Sequence, residues 1–85
     1  MSRIVIHIQP FVFTQSIIVY NEKGIQIYTK ETSLPTLSEA IKELAIKYNI
    51  HQVDLTGNKY FTNKVQKDLI KFAKYSNLNI SITVH

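Results

Sequence analysis

Few residues in this sequence have both the type and the spacing for chemistry. At Thr56-Gly57-Asn58-Lys59 a strand-like run gives way to a helix-like one. Backbone N–H groups freed at such a junction, the positive end of the helix dipole and an adjacent ammonium together suit an anion. A single glycine at that point also serves simply as a turn. Asp54, just before the junction, is the carboxylate best placed for metal chemistry, with Glu22 or Asp68 as its partner in an enzymatic reading. One carboxylate does not replace a two-metal cluster, so the expected role of Asp54 is to cap or hydrogen-bond the following turn. His7, His51 and His85 have no metal-ligand spacing, and the chain has no cysteine to supply a thiolate; satisfied surface histidines are expected. No serine sits in a nucleophile elbow. The remaining group is basic: Lys59, Lys64, Lys67, Lys71 and Lys74 fall on one helix and its entry, where they could meet phosphates.

Composition bounds what such groups could belong to. Eighty-five residues, with 45% hydrophobic and 19% charged, make one small globular domain, near the size at which a second copy or a partner often supplies missing burial. The absence of cysteine removes any disulfide framework and fits a reducing cytoplasm. The opening MSRIVIHIQP alternates rather than forming a continuous apolar run, so neither a secretory signal nor a membrane span is expected. The net charge of +4 comes from lysines and a single arginine spread over helices and loops. A lysine-rich balance serves solubility as well as nucleic acid, because bidentate phosphate and guanine contacts favour arginine. Abundant Ile, Lys, Asn and Tyr imply AT-rich coding, as in a low-GC bacterium, its plasmid or its phage.

The elements that must position these groups read from hydrophobic period. Arg3 to Gln9 alternates, with Ile4, Ile6 and Ile8 inward and Val5, His7 and Gln9 outward. Pro10 ends that strand; Phe11, Val12 and Phe13 follow. A second strand covers Ile17 to Tyr20, a hairpin turn Asn21-Glu22-Lys23-Gly24, and a third strand Ile25 to Lys30. In the third, Ile25 and Ile27 are expected inward, with Gln26, Tyr28 and Lys30 outward. Thr36 and Glu39 have capping-box spacing at the entry to the first helix. Leu37, Ala40, Ile41, Leu44, Ala45 and Tyr48 form its apolar stripe, and Asn49 is its left-handed stop. A fourth strand starts near His51 or Gln52. The second helix ends near Tyr75 with Phe61, Val65, Leu69, Phe72 and Ala73 buried, and a last strand buries Ile80, Ile82 and Val84. Two strands joined by a crossover helix are a parallel, right-handed unit.

The order β-β-β-α-β-α-β resembles the ribonuclease H-like superfamily, including its actin-like ATPase members. IVIHIQPFVFTQSIIVYNEKGIQIYTK looks like the opening double hairpin, and VDLTGN like the fourth strand and its loop. The resemblance implies an α/β fold with a five-stranded mixed sheet, order 3-2-1-4-5, and two helices. The metal-binding carboxylates of that superfamily have no counterpart before Asn21, and its glycine-rich phosphate hairpins are absent, so neither catalysis nor a cofactor is expected. With both helices on one side, Val5, His7, Phe11, Phe13 and Tyr28 are the candidate interaction face. The expectation is a non-catalytic domain whose partner is a protein, itself or another; the alternative is nucleic acid, through Lys64, Lys67, Lys71 and Lys74.

Overall fold

A computed structural model describes residues 2–9 and 14–85. Phe11 and Phe13, two members of the expected interaction face, lie outside the described residues. Strands β1 (Arg3–Ile8), β2 (Thr14–Tyr20) and β3 (Gln26–Ser33) are followed by a 3₁₀ turn (Leu34–Thr36) and helix α1 (Leu37–Lys47). Then come β4 (Gln52–Gly57), α2 (Lys59–Tyr75) and β5 (Ser81–Val84). The sheet order is β3-β2-β1-β4-β5. β1–β2 and β2–β3 pair antiparallel, whereas β1–β4 and β4–β5 pair parallel. The expected five-stranded mixed sheet of order 3-2-1-4-5 with two helices is therefore the observed architecture.

Both helices cover one face of the sheet. Ile4, Ile6, Ile8, Ile17, Val19, Val53 and Leu55 are buried from the sheet side, and Leu37, Ile41, Leu44, Val65 and Leu69 from the helices. Ile80, Ile82 and Val84 are partly buried against the same core. The alternation read in β1 is thus realised in full.

Three details depart from expectation. Ile25 and Ile27 are 58% and 44% exposed, and Tyr28 lies on the helix side rather than on the open face. Antiparallel partners share a face. Tyr28 pairs with the buried Val19, and a register shift at Val19/Tyr20 carries Ile27 outward. The Tyr28 ring packs 5.7 Å from that of Tyr48 at the end of α1. Second, the capping box is not formed. Pro35 sits in the 3₁₀ turn that runs straight into α1, leaving Thr36 at φ −102°, ψ 6°, whereas a capping side chain needs extended backbone. The Thr36 hydroxyl instead donates to the Ser33 carbonyl at 3.2 Å. Third, β2 starts at Thr14 and β3 runs to Ser33, both longer than the apolar runs that marked them. Asn49 does stop α1 in the left-handed region, at φ 53°, and the Ile50 N–H reaches back to the Ala45 carbonyl.

Candidate functional site

The junction before α2 is built by close approach. Gly57 has φ +108°, and a Cβ there would collide with the Ile8 carbonyl oxygen of the neighbouring β1. The Asn58 N–H donates to that same oxygen at 3.1 Å. The Asn58 side chain then accepts from the Phe61 N–H at 3.3 Å, capping the helix. Thr56 points to the open sheet face, where its hydroxyl meets His7 Nδ1 at 2.9 Å. Lys59 Nζ donates to the His85 carbonyl oxygen at 2.7 Å. Thr56, Gly57, Asn58 and Lys59 therefore do not converge on one point: each is engaged separately, and the cap occupies a helix donor that an anion would use.

Asp54 lies within β4, on the open face, rather than at a turn. Its side chain is only 14% exposed and is held by side chains from β1, from β4 and from His85 just past β5. Arg3 Nη1 on β1 stands 3.7 Å away, Gln52 Nε2 on β4 donates at 2.8 Å, and His85 Nε2 lies at 3.3 Å. The arginine also stacks over Tyr20 on β2. Asp54 is thus a strut across the sheet. Of the partners considered for an enzymatic site, Asp68 is on the helix side, ion-paired with Lys42 at 3.5 Å, and Glu22 is in the β2–β3 turn. Among the described residues no three His, Cys, Asp or Glu side chains are placed to hold a metal ion. The open face itself is mostly polar; Val5 and Ile18 are its half-buried apolar members, beside the exposed His7 and Ser16.

α2 shows a sharper division. Its buried side is Thr62, Val65, Leu69 and Ala73, spaced to lie along one stripe toward the core. Gln66 Nε2 donates to the Ile82 carbonyl and ties the helix to β5. Turning at about 100° per residue, Tyr60, Lys64, Lys67, Lys71, Lys74 and Tyr75 fall within one narrow outward arc, opposite the buried stripe. All six are exposed, Tyr60 by 69% and Tyr75 by 86%. None of Lys64, Lys67, Lys71 and Lys74 has an ion-pair partner among the described residues, whereas Arg3, Lys30 and Lys42 each do.

The single acidic residue of α2, Asp68, is drawn aside to Lys42 on α1. Lys42 also bonds Glu39 at 3.0 Å; that hydrogen bond, with Asp68 adding to it and burial opposing, raises the Lys42 pKa above its ordinary value. α2 carries five lysines against one aspartate, and the remainder of the chain five basic against five acidic residues. The basic residues are spread over helices, strands and turns as expected, but the imbalance of +4 falls on one helix, because acidic residues offset the basic ones everywhere else. Sequence reasoning grouped the lysines but missed Tyr60 and Tyr75. The signal was the 4-3-4-3 spacing from Tyr60 through Lys74, which continues the lysine stripe to an aromatic residue at each end.

No helix among the described residues is long and apolar enough to cross a membrane. No protein-family model matches the sequence, and no curated protein is significantly similar to it.

Proposed function

We propose that this chain is a small, non-catalytic nucleic-acid-binding domain of ribonuclease H-like topology, and that the outward stripe of α2 is its contact surface. The observation that carries the reading is the row of Lys64, Lys67, Lys71 and Lys74 on one face of α2, as many charges as the chain's whole net charge, none of them ion-paired among the described residues. A face that merely dissolves the protein mixes both signs. Here Lys64–Lys67, Lys67–Lys71 and Lys71–Lys74 are like-charged neighbours at i,i+3 or i,i+4, an arrangement that destabilises a helix by a few tenths of a kcal/mol per pair. A polyanion relieves that repulsion. Lysine without arginine on the stripe suits phosphates as point charges rather than bases as bidentate partners. The 3-2-1-4-5 order supports the superfamily relationship. The engagement of Asp54 by Arg3, Gln52 and His85 supports a non-catalytic role.

The test is anisotropy of labelled oligonucleotides, single-stranded and duplex, at about 50 mM salt, a range in which phosphate contacts still dominate. Binding that weakens steeply with added salt, and that drops on Lys67→Ala with Lys71→Ala but not on Lys23→Ala, is expected. No binding of either form at low salt removes the reading.

A second reading, docking of a protein or a second copy on the open sheet face, is favoured by the lack of any helix over that face among the described residues and by Val5 and Ile18 within it. It predicts a mass above the monomer in light scattering at high concentration, returned to the monomer by Val5→Lys. A monomer at every concentration counts against self-association.

A further inference from the structure

Two features of the α2 stripe have no use in holding duplex phosphates: its terminal tyrosines, and the cleft with apolar walls on its flank. We infer that the nucleic acid held there is a single strand, an inference that rests on α2 being the contact surface. Tyr60 and Tyr75 project from the two ends of the lysine row, about 22 Å apart along the axis by helical rise, and are 69% and 86% exposed. The Tyr60 ring is braced edge-to-face against Phe61, centroids 5.2 Å apart. Bases inside a duplex are already stacked on one another. An aromatic ring on a convex helix cannot reach their faces, whereas the splayed bases of a single strand stack on such rings without regard to sequence.

Beside the stripe, between the 3₁₀ turn with α1 and α2, opens a cleft of about 490 Å³ lined by the apolar Leu34, Pro35, Phe61 and Val65 together with Lys64 and the carboxylates of Glu39 and Asp68, both of which are ion-paired with Lys42. A base leaving the strand at Lys64 meets an apolar wall of that cleft while its phosphate stays at the ammonium. Lysines at intervals of three and four residues rise about 4.5 to 6 Å at each step, so they follow a backbone laid along the helix. Aromatic platforms and a basic track on one face are the combination that non-specific single-strand binding requires.

The experiment compares a 20-nucleotide oligo-dT with a 20-base-pair duplex, both labelled, with the whole chain. Tighter binding of oligo-dT by about tenfold or more is expected. Replacing both Tyr60→Ala and Tyr75→Ala should weaken oligo-dT by at least tenfold, since each replacement removes a ring on which a base stacks, while leaving the duplex unchanged. The pair Tyr60→Phe and Tyr75→Phe keeps the rings and should restore oligo-dT affinity. Because both tyrosines are exposed, the circular dichroism of each variant should match that of the parent. Duplex bound as tightly as oligo-dT, or oligo-dT affinity indifferent to the alanine pair, overturns the single-strand inference. If the lysine substitutions still weaken the duplex, α2 survives as the contact surface. Failure to bind either probe at low salt overturns both.

Discussion

Gly57 shows how much one residue can decide. Its φ of +108° lies where L side chains rarely go, and the space a Cβ would take is held by the Ile8 carbonyl oxygen. Gly57→Ala combines backbone strain with a collision against the adjoining strand, and is expected to lower stability by about 3 kcal/mol, read as a fall in the denaturant midpoint. In a domain of this size such a loss is a large part of the total. Asp54 makes the opposite case. Its ion-pair partners are exposed by half or more, Arg3 at 52% and His85 at 55%, so solvent screens them. Asp54→Asn should therefore cost no more than about 1 kcal/mol and leave oligonucleotide affinity as it was; a large loss of affinity would return Asp54 to the functional site. Gly57 was legible as a turn glycine. That its lack of a side chain serves a strand nearly fifty positions earlier was not, because the demand arises only when β1 and β4 pair. The same holds for Asp54: beyond Gln52 on its own strand, its neighbours are Arg3 of β1 and His85 just past β5, and no local pattern names them.

Among the elements, α2 is where local rules and tertiary structure agree. An asparagine cap and a left-handed Asn77 at φ 55° behind its C-terminus mark its ends, around the apolar stripe and the stop near Tyr75 that the sequence shows. Strand β3 is where they part. Ile25, just before it, and Ile27 suggest an inward apolar face, yet the register with β2 turns Tyr28 and Lys30 toward α1, where Lys30 stands 3.9 Å from Glu43. A bulge at a hairpin end shifts every later residue to the other face, and nothing in the hairpin's composition announces it. The entry to α1 was misread for a related reason: Thr36 and Glu39 have capping-box spacing, but the 3₁₀ turn ahead of them fixes the backbone first. For α2 the division of labour between its two faces gives a distinct expectation. Lys67→Glu replaces two repulsive neighbours with attractive ones, to Lys64 and Lys71, and should stabilise the helix by roughly 0.5 kcal/mol, seen as a raised melting temperature. The same change should weaken oligonucleotide binding more than Lys67→Ala does. Stability and binding moving in opposite directions is what a stripe retained for a polyanion predicts. A loss of both would mark Lys67 as structural.

At the scale of the molecule, the sheet and α1 together are electrically balanced, and the imbalance is one helix wide. That geometry fixes a number. Counterion release gives a slope of log affinity against log salt of about −0.7 per phosphate neutralised on a single strand. With Lys64, Lys67, Lys71 and Lys74 engaged, the slope should be about −3. Each alanine substitution along the stripe should make it shallower by about 0.7, whichever of the four is changed, because a track of equivalent point charges has no privileged member. Arg3→Ala is the control at equal formal charge: its guanidinium belongs to Asp54 and Tyr20 on the far side of the sheet. Diffuse attraction of the whole cation would make the arginine count as much as any lysine. A slope that responds to the four lysines and not to Arg3 therefore separates a surface built for a polyanion from a protein that is merely basic.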